Sequence, residues 1–232
     1  MLLEELRRQV LEANLEVVRR GLAIYTFGNA SGISRADALV AIKPSGVPYE
    51  ELRPEHMVVV DLAGRVVEGN LRPSSDLDTH LVLYGAFPGI GAVVHTHSTY
   101  ATAWAQAARP IPCYGTTHAD YCRGPVPVTE PMTRGEIDGD YERHTGHAIV
   151  KRFAEIDPAE APGVLVAGHG PFCWGATPAE AAHHAVVLEE LARMAYHTVT
   201  LNAAAVPLPP FHVDKHFLRK HGAAAYYGQS KG

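Results

Sequence analysis

Cysteine is scarce in this chain, with three residues, Cys113, Cys122 and Cys173, among 232. An odd trio cannot build the disulfide framework of a small secreted domain, and it favours a reducing compartment. None of the three has metal-like spacing, so they read as packing residues. Basic charge is also in deficit. Twenty Lys and Arg face twenty-five Asp and Glu, a formal net charge of -5. That argues against a surface built to bind nucleic-acid phosphates. Long apolar runs are missing too, since no segment approaches the roughly 18 residues that a membrane span needs. The opening MLLEELRRQVLEANLEVVRRG carries acids where a signal peptide carries a basic region. No repeat or low-complexity linker divides the chain. With 47% hydrophobic and 19% charged residues it is too apolar for disorder. These gaps lead to the expectation of a soluble, cytoplasmic protein with no nucleic-acid or membrane partner.

Histidine is plentiful, at fourteen residues. Where they fall depends on the elements. Leu3, Leu6, Val10, Asn14 and Val17 recur at helical spacing, with Gly21 placed as a stop. Ile24 to Ser34 reads as a strand breaking into a polar loop. Ala38 to Ile42 is a short strand, and Val58–Val60 and Val66–Val67 form a hairpin. Leu77 to Ala86 is a helix that Ser74, Ser75 or Asp76 would cap. Gly91 to His97 is a strand and Thr99 to Ala108 a helix. Pro110 to Pro131 is irregular or edge strand. Ile137 to Ile156 reads as a helix, Val164–Val166 as a strand, and Pro178 to Asn202 as a long helix with Pro in its first turn. The tail from His212 reads as a frayed end. Strands and helices alternate irregularly. The expected fold is therefore α/β, a single domain over residues 1–232, with a central mixed, largely antiparallel β-sheet flanked by helices.

The strongest local signal is VVHTHS. With a side-chain period of two, His95 and His97 point to one face of a strand. They form either half of a metal site or a pair of hydrogen-bonded histidines. His169, in VLVAGHGPFCW, sits between two glycines after an apolar strand. It is either a turn residue or the third ligand of a three-His site with open positions. Asp76 is an N-cap or a further anionic ligand. Three polar loops, FGNAS, KPSG and RPSSD, offer backbone N–H groups, hydroxyls and, in two of them, a cation. Together they suit a phosphate, although each alone is a turn. None matches a nucleotide-binding fingerprint. Asp120 lies in a Gly/Pro-rich region, and Glu142 reads by default as an exposed helix acid.

Several longer segments carry a resemblance: RRQVLEANL, IKPSGVPYEEL, MVVVDLAGRVVEGNLRPSSD, VVHTHSTYATAWAQA, GTTHADY, PGVLVAGHGPFCWG and LRKHGAAAYYGQ. From Leu6 to Gln229 the chain resembles the L-ribulose-5-phosphate 4-epimerase family of the class II aldolase/epimerase superfamily. The resemblance implies one divalent metal per subunit, zinc first with manganese or another divalent ion as alternatives. It places the metal at His95, His97 and His169, with Asp76 assigned to the same site. A phosphate and sugar pocket falls on Gly28, Asn29, Ser45, Gly46, Ser74 and Ser75, with Lys43 close by. The acid/base pair falls on Asp120 and Tyr227, and Glu142 and His216 match positions that influence the site. Active sites at the interfaces of a four-fold homotetramer are also implied. The implied reaction interconverts L-ribulose 5-phosphate and D-xylulose 5-phosphate by retro-aldol cleavage of C3–C4, as in arabinose catabolism. The alternative is an aldolase resembling L-fuculose-1-phosphate aldolase. In that branch Glu follows the paired serines, where this chain has Asp76. A non-enzymatic use of the fold, as in the adducin head, would show lost metal histidines, and all three are present.

Overall fold

The computed structural model describes residues 1–222, 225 and 226. The first helix, α1 (Glu4–Arg19), forms where the apolar stripe predicts it and buries Val10, Leu11, Ala13, Asn14 and Val17. Strand β1 (Asn29–Ser34) corrects the expectation for its region. The polar residues form the strand, and the apolar approach from Ile24 is the loop. The reason lies in α1. The buried Asn14 amide donates to Ala30 O at 3.3 Å and to Val10 O at 2.8 Å, while its Oδ1 accepts from Ala30 N at 2.8 Å. A side chain from another element thus pairs with the backbone of Ala30, in a strand that pairs with neighbours on both sides although its own residues give no β signal.

Next come β2 (Leu39–Ile42), β3 (Val58–Asp61) and β4 (Val66–Glu68), the last two as the expected hairpin. Helix α2 (Leu77–Ala86) leads to β5 (Ala92–His95) and α3 (Thr99–Gln106). A single turn, α4 (Thr116–Ala119), interrupts the irregular region. The helix expected over 137–156 is two: α5 (Arg134–Asp138), with a Thr133–Glu136 capping box, and α6 (Tyr141–Arg152). Strand β6 (Gly163–Leu165) is followed by β7 (Pro171–Gly175), a strand with no alternating pattern to announce it in the sequence. Helix α7 (Pro178–Leu201) is the long helix. The tail is not frayed at its start: α8 (Pro210–His221) buries Val213 and Phe217.

The sheet order is β4-β3-β2-β1-β5-β7-β6, and every pair of named strands is antiparallel. One parallel bridge joins Val128 to Leu165. Asn29 pairs with His95, and His95 with Phe172, so one row crosses three strands at the sheet's centre. Opposed residues in such a row share a face. The functional side chains gather at this end of the sheet. No helix among the described residues is long and apolar enough to cross a membrane. The three cysteines are free and buried, as packing residues should be.

Candidate metal centre and phosphate pocket

Strand β5 ends on His95, and His97 follows in the extended link to α3. His169 arrives from the turn between β6 and β7. The ligating atoms of His95, His97 and His169 all lie within 4.8 Å of one another, and the Nε2 atoms of His95 and His97 are 3.0 Å apart. Two nitrogens on one tetrahedral zinc would stand about 3.3 Å apart at ordinary Zn–N lengths. The spacing therefore fits a shared divalent ion. The chemistry of the donors fits as well. His95 Nδ1 lies 2.9 Å from Pro171 O, which can only accept. Nδ1 therefore carries the proton and Nε2 presents its lone pair to the cluster. Burial pushes the pKa of His95 and of His169 down, which keeps both rings neutral and competent as ligands. The His95 ring stacks on Phe172 with centroids 4.2 Å apart, which fixes its plane.

Asp76 stands at the N-cap of α2 but makes no side-chain cap bond. Its Oδ2 accepts from Asn29 Nδ2 at 2.6 Å. Burial pushes the Asp76 carboxyl up, but the neighbouring His95 and His80 and the Asn29 amide outweigh it and hold the group below the usual range. The cluster of mutually close ligand atoms contains the three imidazoles and not Asp76. Because the carboxylate takes the Asn29 NH₂, Asn29 Oδ1 is left buried without a partner among the described residues. A substrate hydroxyl would satisfy it.

These groups open onto a cavity of about 460 Å³ lined by Gly28, Asn29, Lys43, Ser45, Gly46, Ser74, Ser75, Asp76, Glu142 and the three imidazoles, among others. The loops after β2 and before α2 are zipped together, with Ser45 N donating to Arg72 O and Ser74 N to Lys43 O, each at 2.9 Å. Lys43 is 2% exposed, and burial lowers its pKa to about 8. Its Nζ donates to Thr26 O at 3.2 Å and sits 4.7 Å above the Tyr49 ring. The Tyr49 hydroxyl donates to Phe27 O at 2.8 Å and Gly28 O at 3.1 Å, so the Thr26–Gly28 rim is held from beneath.

Asp120 and His216 lie elsewhere. Neither lines the cavity. Asp120 follows α4 and is held by α8 through a two-pronged pair with Arg219, at 3.0 and 2.7 Å, and through His216 Nδ1 at 3.1 Å. Burial raises the Asp120 carboxyl, but these contacts and Lys220 hold it below the usual range. Tyr227 lies outside the described residues. Sequence reasoning missed Tyr141, which lines the cavity with its hydroxyl 3.4 Å from His169 Nδ1. Its position beside Glu142 was the available signal. The buried His80 neighbours Asp76 without lining the cavity. Its Nδ1 meets Ser31 Oγ at 2.7 Å, and its ring packs edge-on to Phe172.

An antiparallel sheet presenting three imidazoles beside a polar, cation-bearing pocket defines the class. The chain belongs to the class II aldolase and adducin N-terminal domain family, whose model matches residues 8–196. Within that class it is 51% identical over 227 residues to the L-ribulose-5-phosphate 4-epimerase UlaF of Salmonella paratyphi B. That match covers 98% of this chain and all of the relative. Among solved structures, an L-fuculose 1-phosphate aldolase superposes with a TM-score of 0.77 at 28% identity, covering 91% of this chain and 94% of the aldolase. The L-fuculose-1-phosphate aldolase of Thermus thermophilus, at 24% identity and a TM-score of 0.67, shares the fold. That match covers 88% of this chain and 98% of the aldolase.

Proposed function

We propose that this chain is an epimerase interconverting L-ribulose 5-phosphate and D-xylulose 5-phosphate. The carrying observation is the three-imidazole cluster opening onto the cavity that Lys43, Ser45, Ser74 and Ser75 line. The full-length similarity to the UlaF epimerases supports the choice of substrate.

Inverting C4 of a ketopentose by deprotonation is difficult, because that C–H is not adjacent to the carbonyl. Cleaving C3–C4 avoids the difficulty. Removal of the O4 proton turns C4 into the aldehyde of glycolaldehyde phosphate, and the bonding pair passes to the enediolate of dihydroxyacetone. A divalent ion at His95, His97 and His169, zinc first, supplies Lewis-acid stabilisation for that developing charge. The aldehyde turns its other face, C3–C4 re-forms, and O4 regains a proton from the opposite side. Two proton-transfer groups are therefore needed, and Asp120 and Tyr227 take these roles. The homotetramer that the resemblance implies, with active sites at subunit interfaces and Tyr227 reaching into a neighbour's site, is part of this reading. Lys43 and the paired loops hold the phosphate of the aldehyde fragment so that it is not lost between steps. Asn29 orients a sugar hydroxyl and Asp76 shares the metal side of the pocket. Glu142 and His216 tune the site from its rim and from the Asp120 cluster. The setting is pentose phosphate metabolism in the cytoplasm.

Incubation of metal-restored protein with L-ribulose 5-phosphate tests this reading. Formation of D-xylulose 5-phosphate, lost on chelation and regained with zinc or manganese, is expected. Stoichiometric release of glycolaldehyde phosphate without pentulose interconversion would instead establish the aldolase.

A further inference from the structure

We infer that Glu189, on α7, is a positioning residue for the three imidazoles, acting through α3. The inference rests on the metal-site reading above.

Helix α3 begins at Thr99, two residues beyond His97, and Ser98 at its N-cap makes no side-chain cap bond. The first N–H groups of a helix have no partner within it. Here Glu189 supplies the partners. Its Oε1 accepts from Tyr100 N and its Oε2 from Ala101 N, each at 2.8 Å. A carboxylate that receives two N–H groups at a helix N-terminus gains from charge-assisted bonding and from the helix dipole. Further along α3, Trp104 Nε1 donates to Ala192 O at 3.0 Å, so α3 is pinned to α7 at two levels. The far end of α3 reaches the other metal segment. Ala105 O accepts from Gly168 N at 2.9 Å, and Gly168 directly precedes His169. Helix α3 is therefore a strut between the segment carrying His97 and the turn carrying His169. Glu189 fixes where the strut begins, and it lines no part of the cavity itself.

In Glu189→Gln one of the two N–H groups loses its acceptor and faces an amide NH₂. The strut should shift and the imidazole spacing with it. The test uses metal-stripped protein, zinc affinity by competition with a chromophoric chelator, and the visible spectrum of the cobalt-substituted form. Glu189→Gln is expected to weaken zinc binding by about tenfold, the scale of a lost outer-sphere partner, and to alter the cobalt bands. Glu189→Asp, which keeps the charge with a shorter reach, should fall between Gln and wild type. Glu190→Gln, which breaks only a surface pair with Arg193, should change neither readout. A Glu189→Gln protein that melts earlier yet binds zinc normally, with an unchanged cobalt spectrum, would overturn the inference in favour of a merely structural contact. If that variant does not fold, Glu189→Asp decides on the same two readouts. Failure of the wild type to bind zinc or cobalt would overturn the metal-site reading itself, and this inference with it.

Discussion

His169 is flanked by two glycines that the structure uses for different reasons, and substituting each separately distinguishes them. Gly168 has φ +73°, and a Cβ there would meet nothing within 4 Å. Alanine at this position is strained by conformation alone, by ~1–2 kcal/mol. A Cβ on Gly170 would stand 2.8 Å from Thr96 O, 3.5 Å from Thr102 Oγ1 and 3.6 Å from His95 Cε1. The first contact is with backbone, so relief requires the start of β7 to move off the His95–His97 segment. Overpacking of this kind costs ~1–3 kcal/mol. In a chain of this size each kcal/mol shifts Tm by ~2–4 °C. For the middle of that range, Gly170→Ala should lower the Tm of metal-free protein by ~4–8 °C. Because the move separates the three imidazoles, zinc affinity should fall as well. Gly168→Ala should show a comparable thermal loss with the smaller change in zinc affinity. Calorimetry of chelator-treated protein and a zinc titration measure both. Wild-type stability and zinc affinity in Gly170→Ala would refute the close approach. A larger affinity loss in Gly168→Ala would refute the division of roles.

Removing one ligand with His97→Asn should weaken zinc binding by more than about 100-fold, beyond the effect of an outer-sphere partner, while leaving the fold intact by circular dichroism. Asp120→Asn should reduce turnover by ~10²–10⁴-fold with metal content near normal; joint loss of metal and fold would remove Asp120 from its role. Tyr227→Phe should likewise impair turnover without metal loss. Lys43, with its pKa lowered from 10.5 to about 8 by burial, predicts a KM for the sugar phosphate that rises above pH 8 as the ammonium neutralises. Between about pH 8 and 10.5 the unfolded chain holds the proton that the folded chain has lost, so this group's contribution to stability rises with pH over that window. Urea midpoints against pH should show the rise in wild type and lose it in Lys43→Met.

Much of this architecture was legible because local pattern and tertiary fate agree. The stripe of α1, the β3–β4 hairpin and the long α7 each follow from periodicity and from turn or cap residues. Where the reading failed, the reason differed from element to element. Strand β1 is polar, and Asn14 on α1 bonds the backbone of its Ala30. Strand β7 holds Pro, two aromatics and Cys, all buried, so no alternation marks it. The expected single helix breaks at Gly139–Asp140, between a short helix that the Thr133 capping box starts and α6. The three imidazoles were legible from HxH and a glycine-flanked His, and the pocket loops from their polar residues. The position of Asp120 against α8, and the part played by Glu189, depend on contacts roughly 90 residues apart or more.

The row Asn29–His95–Phe172 has a consequence for how the molecule reaches its native state. Its partners stand 66 and 77 positions apart along the chain, from β1 to β5 and from β5 to β7. Pairings across such separations pay loop-closure entropy before any contact rewards them, and they slow folding. In the native structure the β5–β7 pairing brings His95 and the His169 turn together, with ring centroids 4.7 Å apart. On the metal-site reading, zinc affinity should therefore appear during refolding only as the central strands complete.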